Sequence, residues 1–420
     1  MRYLNILSKL TLKHDHTSGA GIAGFRVLQC LCLLIFCGVG VGCAVEVQPT
    51  FTPTLTAVPT ATLDPPPAPT ATPQPASYRF ASPEYGANVH LWWDRWASQR
   101  DWHVVNDIGA TWVKQRLSWR NVKPLADEPY DWSTSDLILE EAEAWGVNLV
   151  FRLDGTPRWA LPRGEGIDGP PADYHDYAAF CYDVAARYRG RVRGYQIWNE
   201  PNLAREWGGA VPDPAAYADL LRLCSWGIRL ADPEALIITA GLAPTGSGPP
   251  EALPDHTFLA GMYEAGAAPY FDLLGLHAPG YAAPPEVSPD EAAATPEYGG
   301  HRFFCFRHVE DLRGLMEYYG DGQKQVAILE FGWTTDPVNA AYQWYAVTPE
   351  EQGEYLVRAF QYAHEHWDPW IGPMFFWNIP EPTWTPEDEE FWWAIVDPFD
   401  WEENEDPFRP AYHALVEMEK

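Results

Sequence analysis

The sequence predicts an α/β fold, a (β/α)8 TIM barrel, on three observations. Eight short apolar runs, at 87–91, 111–117, 148–153, 192–198, 236–240, 271–276, 325–329 and 373–377, punctuate the chain. Helical periodicity fills the intervals, and such alternation marks a parallel sheet wrapped by helices. The segment that carries them, 77–420, has room for eight strand–helix units with long loops.

The chain begins differently. Lys9, Lys13 and Arg26 precede an uncharged stretch at 27–45, so residues 1–47 read as a signal peptide, a lipoprotein signal or a membrane anchor. Gly42 before Cys43 resembles the end of a bacterial lipoprotein signal, although Gly40 stands where that motif wants Leu. The expectation is an exported, extracellular protein tethered to the cell surface by a lipidated Cys43 or an uncleaved N-terminal segment. Residues 48–76 are Pro, Thr and Ala with almost no charge and cannot bury a core. They read as a disordered linker of polyproline character, roughly 3.1 Å per residue.

Within 77–420 the helices carry their own signals. Between the third and fourth runs, Tyr177, Phe180, Cys181, Val184, Ala185 and Tyr188 recur at helical spacing and Gly190 supplies a stop. After the fourth, Asp213 and Pro214 form an N-cap and first-turn proline ahead of Tyr217, Leu220, Leu221, Cys224 and Ile228. Thr348, Pro349 and Glu351 make a capping box before Tyr355, Leu356, Ala359 and Phe360.

Composition excludes some functions. With 58 acidic against 28 basic residues and a net charge of −30, the chain lacks the basic surface a phosphate backbone requires. The acidity suits a soluble surface and a neutral or cationic substrate. Of seven cysteines, Cys30, Cys32, Cys37 and Cys43 lie in the N-terminal segment. Cys181, Cys224 and Cys305 show no metal-ligand spacing. Cys181 and Cys224 fall on apolar helix stripes and are expected as buried thiols rather than a bridge.

The chemistry lies in two glutamates. Trp198-Asn199-Glu200-Pro201-Asn202 closes the fourth run and Leu329-Glu330-Phe331-Gly332 the seventh, each delivering a carboxylate to a strand end, where barrel enzymes keep their reactive groups. Strand alternation puts Val326, Ile328 and Glu330 on one face, so Glu330 is expected to continue an inward-facing row. Sugar-bond hydrolysis usually requires two such carboxyl groups across the scissile bond.

With both carboxylates placed, the segment after the linker resembles the clan A glycoside hydrolases, most closely the family 39-like and family 5-like barrels of the cellulase superfamily. The resemblance implies a retaining hydrolase of O-glycosidic bonds in a β-linked poly- or oligosaccharide, with Glu330 as nucleophile and Glu200 as general acid/base. Their carboxyls would lie about 5–5.5 Å apart. Glu200 would start protonated, favoured by burial and by the charge of Glu330. The resemblance also gives Asn199 a hydrogen bond to the sugar 2-hydroxyl, and places His277 near the site with Tyr281 close behind. It puts a basic residue of the second strand, Arg116 in preference to Lys114, beside the nucleophile. Trp119 would line the cleft and Trp377 would form the aromatic floor beneath the sugar.

Among 21 tryptophans, Trp92, Trp93, Trp207, Trp333, Trp384, Trp392 and Trp393 fall near strand ends, where some would line the cleft. The acidic run 387–390 reads as a solvated loop face, since it lacks the glycine and terminal glutamate of an EF-hand. No metal or organic cofactor is implied. The expected partners are a carbohydrate substrate and no nucleic acid, with membrane contact only through the N-terminal anchor or lipid, and a monomeric catalytic domain. Two other readings stand: a transglycosylase using the same carboxylates, and a non-catalytic carbohydrate-binding surface protein, which would need neither.

Overall fold

The computed structural model describes residues 80–92, 95–162, 168–398 and 407–420. The N-terminal segment with Cys43, the Pro/Thr-rich linker and Trp93 lie outside the described residues.

Each apolar run becomes a strand: β1 (Glu84–Val89), β2 (Trp112–Ser118), β3 (Asn148–Asp154), β4 (Gly194–Ile197), β5 (Leu236–Ile238), β6 (Leu274–Pro279), β7 (Val326–Gly332) and β8 (Ile371–Phe376). They form one parallel sheet in the order β5-β4-β3-β2-β1-β8-β7-β6. Isolated parallel bridges, Ile238 to Leu273 and Leu242 to Leu276, bring its two edges together, so the sheet curls into a nearly closed (β/α)8 barrel.

Two apolar layers hold it. Trp112, Val150, Leu236, Ile238, Leu273, Ala327, Leu329 and Phe375, all from strands or their immediate flanks, fill the interior, and Phe80 packs edge-on against Trp112. The opposite faces, among them Val113, Leu117, Phe151, Ile197 and Leu276, pack against the helices in the larger core. This partition corrects the parity assigned to β7. Ala327 and Leu329 point inward, whereas Val326 and Ile328 belong to the helix-facing layer. Glu330 reaches the mouth because the register slips: Leu276 pairs with Ile328, but His277 pairs with Glu330. A bulge of one extra residue re-aims every side chain beyond it.

The helix signals act as the chemistry requires. Asp213 accepts from the amides of Ala215 and Ala216 at the start of the helix Pro214–Ala231. Thr348 and Glu351 form a reciprocal capping box on Pro349–His366. Asp173, a cap that the apolar pattern alone did not reveal, starts Tyr174–Arg187, and Gly190 takes up left-handed φ (+73°) just beyond that helix. The helices Tyr174–Arg187 and Pro214–Ala231 pack so closely that a Cβ on Gly227 would collide with the Ala178 carbonyl. Cys181 and Cys224, expected as thiols, face each other across this contact and form a disulfide with Cα atoms 5.4 Å apart. The stripe assignment predicted burial; the facing of two stripes is a tertiary fact that periodicity does not contain. Cys305 is a buried free thiol.

Candidate active site

Glu200 owes its position to an irregular turn after β4. Trp198 (φ +71°) and Glu200 (φ +38°) both adopt left-handed backbone, which costs an L-residue roughly 1–2 kcal/mol. Hydrogen bonds hold the turn: the Trp198 indole donates to the Glu206 carbonyl at 3.0 Å and the Glu200 amide to the Gly241 carbonyl at 3.1 Å. Asn202 pins the same loop to the one after β5, donating to the Ala243 and Leu253 carbonyls and accepting from the Ala243 amide. Left-handed non-glycine residues over-determined in this way concentrate at functional sites.

His277, at the end of β6, lies between the two carboxylates. Its Nδ1 is 3.0 Å from Glu200 Oε1 and 3.6 Å from Glu330 Oε2. The ring is buried against Gly241, where any Cβ would run into it, so glycine there is what lets the imidazole sit between the acids. One ligand atom from each of Glu200, His277 and Glu330 can be chosen so that all three lie within 4.8 Å of one another. Such a triad can in principle hold a metal ion. Here each carboxylate also faces a basic side chain of the protein, which competes with a metal for the same lone pairs.

Those cations define the electrostatics. Lys114 Nζ donates to Glu330 Oε1 at 2.9 Å, and Arg152 Nη1 lies 3.6 Å from the same oxygen. Burial pushes the Glu330 carboxyl up, but the charges of His277, Lys114 and Arg152 outweigh it and hold it at about 2. Burial lowers the Lys114 amine to about 8 even against the pull of Glu330. Burial likewise raises Glu200, and here too the His277 hydrogen bond and charge, followed by Arg205, win and leave it below the ordinary carboxyl value. Glu200 is expected from the resemblance to start protonated, but its neighbours favour the anion. The physical reason is His277 first, 3.0 Å from Glu200 Oε1, and then Arg205, whose Nη2 lies 2.9 Å from Glu200 Oε2 and which the strand-end pattern did not single out.

The structure distributes the other expected residues unevenly. Asn199 is buried beside the acids, its Oδ1 accepting from Arg152 at 3.3 Å. Trp377 ends β8, its peptide to Asn378 is cis, and its ring meets His90 edge-on at 5.6 Å; Trp384 closes on the same imidazole at 4.7 Å. Tyr281 does not reach Glu330 in any described contact; its hydroxyl donates to the Pro244 carbonyl at 3.3 Å. Arg116 is not the partner of the nucleophile candidate. It pairs with Asp154 at 2.6 Å at the rim, while Lys114, one pleat repeat (about 6.6 Å) deeper on the same face, reaches Glu330. Trp119 is not in the cleft: it is 1 % exposed and stacks on Phe180 beneath the helices. Trp207 and Trp333 are buried likewise. In the acidic run, Glu389 is partly buried and accepts from the Trp393 indole, and burial raises it to about 7.

His90 and Arg152 escaped the sequence reading although both had a signal. His90 follows Asn88 on the inward face of the first run, and Arg152 shares parity with Val150 and Asp154. Burial lowers His90 to about 4 while its Nδ1 bonds the Ile379 carbonyl at 2.9 Å. Arg152 also pairs with Asp154 at 2.8 Å, and that carboxylate, shared with Arg116, sets the orientation of the guanidinium.

No protein-family model matches the chain, and no curated protein is similar to it in sequence. Solved structures are similar in fold. A family 39 glycoside hydrolase from the gut symbiont Bacteroides cellulosilyticus WH2 aligns with a TM-score of 0.57 at 19 % identity, covering 80 % of this chain and 63 % of that one. The exo-β-1,4-mannosidase of Opitutaceae bacterium strain TAV5 aligns at 0.52 and 18 %, covering 82 % and 61 %. An endo-β-1,4-glucanase from Xanthomonas axonopodis pv. citri aligns at 0.51 and 15 %, covering 80 % and 98 %. The chain thus spans less than two thirds of the first two structures. The barrel has the fold of clan A glycoside hydrolases of families 39 and 5.

Proposed function

We propose that this chain is a retaining glycoside hydrolase acting on a β-linked poly- or oligosaccharide. The observation that carries the reading is the Glu200–His277–Glu330 cluster at the strand ends, in which one oxygen of Glu200 lies within 4.8 Å of one oxygen of Glu330. Inverting enzymes need room for a water between carboxyls about 6.5–9.5 Å apart, whereas retaining ones use about 5–5.5 Å. The fold it shares with glycoside hydrolases of families 39 and 5 supports the same class.

In this reading Glu330, kept ionised by Lys114 and Arg152, attacks the anomeric carbon. The bond to the departing oxygen breaks, and the Glu200 proton passes to that oxygen, leaving a glycosyl ester on Glu330. With the negative charge of Glu330 consumed, Glu200 is ionised and takes a proton from water as the water oxygen attacks the anomeric carbon; the ester bond breaks and Glu330 is regenerated. Asn199, its Oδ1 occupied by Arg152, has Nδ2 left to donate to the sugar 2-hydroxyl. Trp377 offers a ring to the apolar face of the sugar. Arg205 has to leave Glu200 Oε2 for that oxygen to meet the leaving group, and with its side chain 71 % exposed it has the freedom to do so.

The proposal extends to location: an exported protein held at the cell surface through Cys43 or the N-terminal segment, its catalytic domain monomeric. A disulfide between Cys181 and Cys224 supports an oxidising compartment. The test of activity is a panel of β-linked glucans, xylans and mannans with the wild-type chain, Glu200→Gln and Glu330→Gln. Cleavage by the wild type and a loss of at least about 10²-fold in each variant is expected. Binding without cleavage across the panel would instead identify a carbohydrate-binding protein.

A further inference from the structure

Arg205 has a second carboxylate within reach besides Glu200. Arg205 and Glu206 sit side by side in one turn of 3-10 helix, Ala204–Glu206, in the loop after β4. The backbone of that turn is fixed: the buried Trp207 donates its amide to the Ala204 carbonyl at 3.0 Å, and the Trp198 indole donates to the Glu206 carbonyl at 3.0 Å. The Arg205 side chain is not fixed. Its guanidinium spans two acids, with Nη2 2.9 Å from Glu200 Oε2 and Nε 3.9 Å from Glu206 Oε1. Nε and Nη2 form one edge of the guanidinium, an edge that can grip a single carboxylate with two parallel bonds. Divided between two acids, that edge makes one good bond; closed on Glu206, it has two to make.

Glu206 has room for this partner. Among the described residues no hydrogen bond reaches its carboxylate, and its side chain is 34 % exposed. The charges that bear on it are Glu200 and Arg205 in its own loop, Arg152 and Asp154 at the end of β3, and Arg116 of β2, itself paired with Asp154. Burial, then Glu200 and Asp154, raise Glu206 to about 7 against the pull of Arg152 and Arg205. Tyr342 in the loop after β7 and Glu389 in the loop after β8 also act on Arg205. Glu389 is the weaker destination, because one of its oxygens already accepts from the Trp393 indole at 2.7 Å.

We propose that Glu206 is a positioning residue that takes Arg205 from Glu200 when substrate enters, so that Glu200 can carry the proton it has to deliver. The inference rests on the hydrolase reading above. With the guanidinium on Glu200, that carboxyl favours the anion and Glu206, near 7, exchanges a proton with solvent. With the guanidinium on Glu206 the preference reverses. One proton leaves Glu206 and one is taken up by Glu200, both through water, so the total charge of the three groups is unchanged. No charge loses its partner, which is the condition for keeping ions in a partly buried site.

The test follows kcat on a saturating β-linked tetrasaccharide of the cleaved sugar type, because kcat reports the ionisations of the enzyme–substrate complex. Wild type, Glu206→Gln, Arg205→Gln and the double variant are compared from about pH 5 to 9. In Glu206→Gln the guanidinium keeps to Glu200, and the alkaline limb should fall by about half a unit or more, about threefold in kcat on that side. In the Arg205→Gln background the same change should move the limb by less than about a third of that, since no guanidinium is there to redirect. Equal displacement in both backgrounds would reduce Glu206 to a charge felt through space and overturn the exchange, as would an unmoved limb in Glu206→Gln. A limb displaced by Glu389→Gln instead would give the role to Glu389 and overturn Glu206. Each of these outcomes leaves the hydrolase standing, whereas a wild type that cleaves no β-linked glycan would remove the hydrolase and the exchange together.

Discussion

At the residue scale, the site turns on which cation faces which carboxylate oxygen. Lys114 is 3 % exposed and bonds Glu330 directly, whereas the Arg116 side chain is 45 % exposed and bonds Asp154. Lys114→Met should therefore lower kcat by about 10²-fold, the scale of removing one preorganised charge from an active site, while Arg116→Met stays within about fivefold. Equal losses would show that geometry misassigns the pair. Arg205 poses the opposite problem, since it stabilises the anion of a group that has to carry a proton. Removing a cation raises a carboxyl, so Arg205→Gln should move the alkaline limb of the kcat/KM profile to higher pH; a profile that is unmoved, or moves down, would disconnect Arg205 from Glu200. The sequence placed both glutamates through the runs that end on them. It did not place Lys114 above Arg116, because both share parity and only the depth of the barrel separates them.

At the scale of elements, strand existence was legible and strand detail was not. Eight apolar runs became eight strands, yet β5 shrinks to Leu236–Ile238 because barrel pairing, not local hydrophobicity, sets its ends. The β7 bulge is the sharper case. Regular alternation would put Glu330 on the same face as Val326 and Ile328, but those two face the helices, and the one-residue slip beside His277 is what turns Glu330 to the other face and delivers it to the mouth. Likewise the stripes carrying Cys181 and Cys224 were visible, but not that Gly227 lets those helices close on each other. The disulfide closes a loop of 43 residues. Replacing both cysteines by alanine should cost about 2–4 kcal/mol, read as a lower midpoint in urea unfolding. An unchanged midpoint would show that the packing of the two helices, without the bridge, carries the stability.

At the scale of the whole molecule, buried charge ties stability to pH from two sides. His308 bonds Asp255 at 2.9 Å and Asp311 at 3.2 Å. Burial lowers its pKa, but those bonds and charges outweigh it and raise it to about 9 from an ordinary 6.5. A raised folded-state value means stability fully present below about pH 6.5 and lost as pH rises through about 9. Glu330, held at about 2 against an ordinary 4.5, contributes in the other direction: its share is present above about 4.5 and lost as pH falls through about 2. Thermal melts from pH 6 to 10 should show a declining midpoint that flattens in His308→Gln. A wild-type midpoint constant over that range would contradict the charged His308. The net charge of −30 adds self-repulsion to the folded state as carboxylates ionise, which salt relieves.

Whether Glu330 forms the bond to sugar is tested most directly by replacing it while offering a surrogate nucleophile. Glu330→Gly should hydrolyse an activated aryl β-glycoside at a small fraction of the wild-type rate and recover turnover with added azide. The product should be the α-glycosyl azide, since azide enters from the face the carboxylate vacated. No rescue, or a β-glycosyl azide, would take Glu330 out of that role.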